Sequence, residues 1–181
     1  MNPSNVLDAK IALAFKALDV SQDDRLSWAD FAAIAGQLTT RLHADKKQEA
    51  EINEAFQAWW GQFETKTGDE LGIDQFISAI RTGMAAGPAF YEQGAGRIVD
   101  VITRIADRNG DGIISKEDYL AFYQGSMADE SGVLEGYRKL DLNADGSVSA
   151  EEFRQAVRQF FTSEGLDTVG DFLLGRPSTQ A

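Results

Sequence analysis

The 181-residue chain has no cysteine, which excludes disulfides and thiolate metal sites and removes any cysteine nucleophile. Only three methionines are present, Met1 included, so the adaptable Met-rich surface of a promiscuous binding protein is missing. No apolar run approaches the ~18 residues that would suggest a membrane span. Basic residues are outnumbered, 17 against 29 acidic, and the net charge of −12 disfavours nucleic acid and anionic membrane surfaces. The first fifteen residues, MNPSNVLDAKIALAF, lack a basic region followed by an apolar run, so a cytoplasmic location is expected. The catalytic signatures H-E-x-x-H, the Walker loop and G-x-S-x-G are all missing, and a non-enzyme is expected. The apolar fraction of 43% still suffices for one substantial core or two small packed lobes.

What the chain does contain is a recurring acidic turn. Its clearest copy is Asp141 to Glu152, DLNADGSVSAEE, which follows the pattern D-x-[DN]-x-[DN]-G-x5-E. Asp141, Asn143 and Asp145 put short oxygen-bearing side chains at positions 1, 3 and 5 of a twelve-residue loop. Gly146 at position 6 permits a positive φ. Ser147 offers its backbone carbonyl, Ser149 a water-mediated contact and Glu152 a bidentate carboxylate. Such an all-oxygen set suits calcium, which takes six to eight oxygens at roughly 2.3–2.6 Å. A merely solvated acidic turn would not need apolar Val148 at position 8 or Phe153 directly after the last ligand.

Three further copies precede it. Asp107 to Asp118 supplies Asp107, Asn109 and Asp111, a turn at Gly112, the carbonyl of Ile113 and a final Asp118. Asp19 to Asp30 supplies Asp19, Ser21 and Asp23, the carbonyl of Arg25 and a final Asp30, with Asp24 where glycine is usual. Asp tolerates positive φ better than most residues. The remaining copy, from Glu64, is recognised by its flanks. Trp60 and Phe63 stand four and one residues before it, as Phe15 and Leu18 do before Asp19 and Tyr137 and Leu140 before Asp141. Its ligands are gone, because Lys66, Gly68 and Gln75 occupy positions 3, 5 and 12. The position-8 residues should bridge the loops in pairs, Leu26 with Leu71 and Ile114 with Val148. Nine acidic side chains fall at ligand positions of the three intact loops, three in each, and three divalent ions would halve the net charge.

The expected architecture is all-α: four helix–loop–helix hands in two pairs, the second hand degenerate, forming one compact globule. Residues 1–86 make the N-terminal pair and residues 87–162 the C-terminal pair, divided in the Gly-rich stretch Thr82 to Gly96, where AFYEQ should form a helical turn. Residues 163–181 form a tail whose Phe172, Leu173 and Leu174 are expected to fold back on the core. Helix-spaced aromatics such as Trp28, Trp59, Trp60, Tyr91, Tyr119, Tyr123 and Tyr137 read as core, although they could also line a cavity. His43, in the polar context RLHADK, reads as a surface turn.

The layout, together with tandem Trp59-Trp60 and the closing F-L-L-G-R-P, resembles the sarcoplasmic calcium-binding proteins and calerythrin. The resemblance implies a compact monomer of two EF-hand pairs, tight calcium binding at three loops and magnesium exchange at some of them. A calcium buffer or signal modulator is the first functional expectation. A calcium sensor with a protein partner and a luciferin-binding, photoprotein-like carrier are the alternatives. The single histidine counts against the last of these. A final Asp binds through one oxygen more readily than a Glu, and six octahedral ligands suit magnesium. The first and third loops are therefore expected to admit magnesium and the fourth to be the most calcium-selective.

Overall fold

The computed structural model describes residues 3–63, 70–123 and 130–165. The described chain is helical apart from four two-residue strands, and its helices are amphipathic at a spacing of three to four residues. Helix α1 (Pro3–Leu18) buries Leu7, Ile11, Ala14 and Phe15. After the first loop come β1 (Leu26–Ser27) and α2 (Trp28–Arg41), which buries Phe31, Ala35 and Leu38. Helix α3 (Lys46–Trp60) buries Ile52, Ala55, Phe56 and Trp59, and a 3₁₀ turn carries Phe63 into the same core. Asp45 starts α3 by accepting from the Lys47 and Gln48 amides at 2.8 and 2.9 Å, while Gln48 accepts from the Asp45 amide.

Strand β2 (Glu70–Leu71) leads into α4 (Ile73–Ala86), followed by the short α5 (Pro88–Gln93) and by α6 (Ala95–Ala106). The expected turn at AFYEQ is thus α5, with Pro88 at its first position, where a missing N–H costs nothing. Gly83 does not end a helix. It lies within α4, which stops before Gly87, a residue at φ 137°. The last third runs β3 (Ile113–Ile114), α7 (Lys116–Tyr123), α8 (Glu130–Leu140), β4 (Val148–Ser149) and α9 (Ala150–Thr162).

The strands pair antiparallel, β1 with β2 and β3 with β4, setting Leu26 opposite Leu71 and Ile114 opposite Val148. All four side chains are buried. Around Phe31 the rings of Phe56, Trp59, Trp60 and Phe63 lie with centroids 5.1–6.4 Å away. Tyr119, Tyr137 and Phe153 form a second aromatic group behind β3 and β4. These groups belong to one continuous hydrophobic cluster, because α3 packs on α6 and α1 packs on α9. Lys10 is buried on α1 and donates to the carbonyl oxygens of Ser163 and Gly165, at 3.2 and 2.7 Å, just beyond α9. Phe172 to Leu174 and the rest of the expected tail from residue 166 onward lie outside the described residues, as do Lys66 and Gly68. Among the described residues no helix is long and apolar enough to cross a membrane.

Candidate metal centres

Three loops share one backbone path. Positions 4 and 6 are left-handed in each: Gln22 and Asp24 at φ 59° and 62°, Gly110 and Gly112 at 73° and 77°, Ala144 and Gly146 at 58° and 89°. Asp24 thus adopts the turn that its counterparts make with glycine. This path aims backbone N–H groups inward, and the first aspartate of each loop accepts from them. Asp141 binds the amides of Asp145 and Gly146 at 3.0 and 2.8 Å. Asp107 binds those of Asp111 and Gly112 at 3.1 and 2.8 Å. Asp19 binds those of Asp23 and Asp24 at 3.3 and 3.0 Å.

The position-5 aspartates repeat a second contact. Asp23, Asp111 and Asp145 accept from the amides of Arg25, Ile113 and Ser147 at 2.9, 2.8 and 2.9 Å. The Ser147 hydroxyl and amide, with the Asn143 amide group, hold the Asp145 carboxyl below its ordinary range. Asn109 and Asn143 likewise lean on Asp111 and Asp145, at 2.7 and 2.8 Å.

The position-12 residue has two tasks, because it is also the third residue of the outgoing helix. Ser149 caps α9 by accepting from the Glu152 amide at 3.1 Å, and its own amide and hydroxyl both donate to Glu152 Oε2 at 2.8 Å. Glu152 Oε1 reaches across the loop to the amides of Leu142 and Asn143, at 3.0 and 3.3 Å. Asp30 does the same with a shorter side chain: Oδ2 accepts from the Ser27 amide and hydroxyl at 2.9 Å, and Oδ1 from the Ser21 amide at 3.0 Å. Burial pushes both carboxyls up, yet the donors outweigh it and hold both below their ordinary values. Position 9 is therefore a capping residue, and Ser149 holds the final ligand.

The second loop keeps the cap without the charge. Gly72 and Gln75 take positions 9 and 12, and Gln75 Oε1 accepts from the Gly72 amide at 2.9 Å. A neutral amide here starts α4 and preserves the Leu26–Leu71 bridge.

Among the described residues no three acidic side chains converge on a common point; each loop's carboxylates rest on its own backbone. The donor set still fits a hard divalent cation: five oxygen-bearing ligand types, no nitrogen or sulfur, and an anionic group at both ends of every intact loop. Oxygen atoms holding an N–H retain a lone pair for an ion.

Comparison with known proteins agrees with this geometry. The EF-hand domain pair family matches residues 71–126, and the EF hand family matches residues 138–157. Calerythrin of Saccharopolyspora erythraea is 25% identical over 154 residues, covering 81% of this chain and 86% of the relative. The chain is an EF-hand protein. It is related to calerythrin. The fold of this EF-hand protein is shared with the sarcoplasmic calcium-binding protein of amphioxus, with a TM-score of 0.71, 16% identity and coverage of 96% and 98% of the two chains. It is shared also with calcium-loaded apo-aequorin from Aequorea victoria, at 0.73, 18%, 91% and 94%.

What the sequence did not show is the reach of the final carboxylates across their loops. Ser21 and Ser149 stood out as ligand positions and Ser27 did not, and only the folded path turns Ser21 and Ser27 onto Asp30 and Ser149 onto Glu152.

Proposed function

We propose that this EF-hand protein is a calcium buffer or signal modulator of the cytoplasm that binds three divalent ions. The ligands would be Asp19, Ser21, Asp23, the Arg25 carbonyl and Asp30 in the first loop. In the third they would be Asp107, Asn109, Asp111, the Ile113 carbonyl and Asp118, and in the fourth Asp141, Asn143, Asp145, the Ser147 carbonyl and Glu152. The two pairs would divide near Gly87, a reading supported by the break between α4 and α5 there. The observation that carries the reading is the common path of the three loops, left-handed at positions 4 and 6 and closed on the first aspartate. Like charges held within one short loop repel one another, and a bound cation would neutralise them.

Buffering is favoured over sensing by what covers the apolar surface. A sensor exposes an apolar groove when it opens. Here the apolar helix faces of both pairs are joined in one cluster, and among the described residues the exposed large hydrophobics are Val20 and Leu142, each at position 2 of a loop. The carrier reading gains no support from the apolar cavity among the described residues. Trp59, Met84, Phe90, Tyr91 and Phe161 line an apolar cavity of about 10 Å³. That is roughly the space of one water, against the ~300 Å³ or more of ordinary small-molecule pockets.

The shorter final aspartates admit magnesium to the first and third loops on coordination grounds. The test is thermal unfolding with and without calcium. Excess calcium should raise the melting temperature, chelator should reverse the rise, and Glu152→Gln should shrink it. An unchanged melting temperature in calcium would contradict the proposal.

A further inference from the structure

The residue two places beyond position 12 differs among the four loops. It is Ala32, Ile77 and Leu120 after the first three and Arg154 after the fourth. At 3.6 residues per turn, two residues carry a side chain about 200° round the helix. Glu152 therefore reaches into the loop while Arg154 points to the far side of α9. Phe153, between them, is buried against Tyr119 and Phe122 of α7.

Arg154 is held by groups that belong to no loop. Its guanidinium pairs with Glu92 of α5, lies 2.8 Å from Asp100 of α6, and covers the Tyr91 ring. Its backbone carbonyl accepts from the hydroxyl of buried Tyr91 at 2.7 Å. Helix α6 leads into the third loop, and α5 lies between α4 and α6 and flanks no loop at all. The first turn of α9 is thus fastened from outside its own helix–loop–helix unit. A lone surface ion pair would fix little. Here two carboxylates, an aromatic ring and a backbone hydrogen bond converge on one residue.

We propose that Arg154 is a positioning residue for the fourth metal site. By fastening the first turn of α9 to α5 and α6, it holds Glu152 against its loop. The proposal rests on the metal-binding reading above and adds to it a residue that touches no ion. A ligand carried on a turn already fixed loses less freedom when it binds. Groups that orient a metal ligand from behind are typically worth about ten- to a hundredfold in affinity. The short α5 gains a role as well, because it supplies both Tyr91 and Glu92 to the grip.

The test is calorimetric calcium titration of the full chain, with Glu152→Gln marking the fourth-loop event and Asp30→Asn the first-loop event. Arg154→Ala should weaken the fourth-loop event by roughly tenfold and leave the first-loop event within about twofold. Glu92→Gln and Asp100→Asn, each removing one arm, should give smaller losses at the same event. In the Glu152→Gln background Arg154→Ala should leave the remaining events unchanged, because the ligand it positions is already gone. A purely structural role would lower the melting temperature equally in calcium and in chelator, whereas positioning lowers it more in calcium. Should Arg154→Ala fail to fold, Glu92→Gln and Asp100→Asn carry the test. The proposal is overturned if the fourth-loop event keeps its affinity, if the first-loop event weakens equally, or if the effect persists in Glu152→Gln. Lack of calcium uptake by the parent would overturn the metal-binding reading itself, a distinct outcome.

Discussion

The Tyr91 hydroxyl donates to the Arg154 carbonyl oxygen at 2.7 Å, tying the short α5 to α9 only two residues past Glu152. The Arg154 guanidinium then lies over the Tyr91 ring, 5.7 Å from its centroid, and pairs with Glu92 on α5. It also meets Asp100 on α6 at 2.8 Å, as a charge contact rather than an aligned hydrogen bond. One side chain thus joins three helices. Tyr91→Phe keeps the ring and deletes the hydroxyl, so it should lower stability by about 1 kcal/mol, read from the urea midpoint. Calcium stoichiometry should not change.

The same residue gives the protein an alkaline limit. Burial pushes the Tyr91 phenol up from its ordinary value of 10.0. A raised folded value favours the neutral form, so the stabilisation is complete below pH 10 and is lost as pH rises toward the folded value. Stability of the parent should therefore fall more steeply above about pH 10 than that of Tyr91→Phe, in urea titrations at stepped pH. Parallel curves would show that Tyr91 is not the group responsible.

Backbone strain in the fourth loop can be tested with two substitutions of opposite sign. Ala144 is held at φ 58°, and Gly146 at φ 89° has nothing within 4 Å of where a Cβ would sit. Ala144→Gly relieves a left-handed residue and should stabilise the calcium-free protein by about 0.5–1 kcal/mol, once glycine's added chain entropy is subtracted. Gly146→Ala should destabilise it by about 1–2 kcal/mol through backbone strain alone. Differential scanning calorimetry in chelator measures both.

At the α4–α5 corner a glycine allows a close approach. A Cβ at Gly83 would stand 2.3 Å from the Phe90 ring, which itself lines the small apolar cavity. Gly83→Ala should destabilise the fold by about 1–3 kcal/mol through overpacking. Gly36→Ala, where nothing lies within 4 Å in a helix, should be neutral or slightly stabilising. The pair of urea midpoints distinguishes crowding from helix propensity.

Much of the site was legible in sequence because its geometry is local. Ligand spacing within twelve residues fixes the loops, and the position-8 residues Leu26, Leu71, Ile114 and Val148 meet as their spacing implied. The composition left one core or two lobes open, and it was the family resemblance that implied the single cluster under both strand pairs. Long-range contacts were not legible. Nothing in the pattern places Lys10 beneath the end of α9 or Tyr91 against Arg154, residues 63 apart.

Equilibrium dialysis of the full chain against calcium, counting bound ions per molecule at saturation, is the most direct measurement. Three ions per chain are expected, falling to two in Glu152→Gln. No bound calcium above background would contradict the metal-binding reading, and four would contradict the structural role given to Gln75.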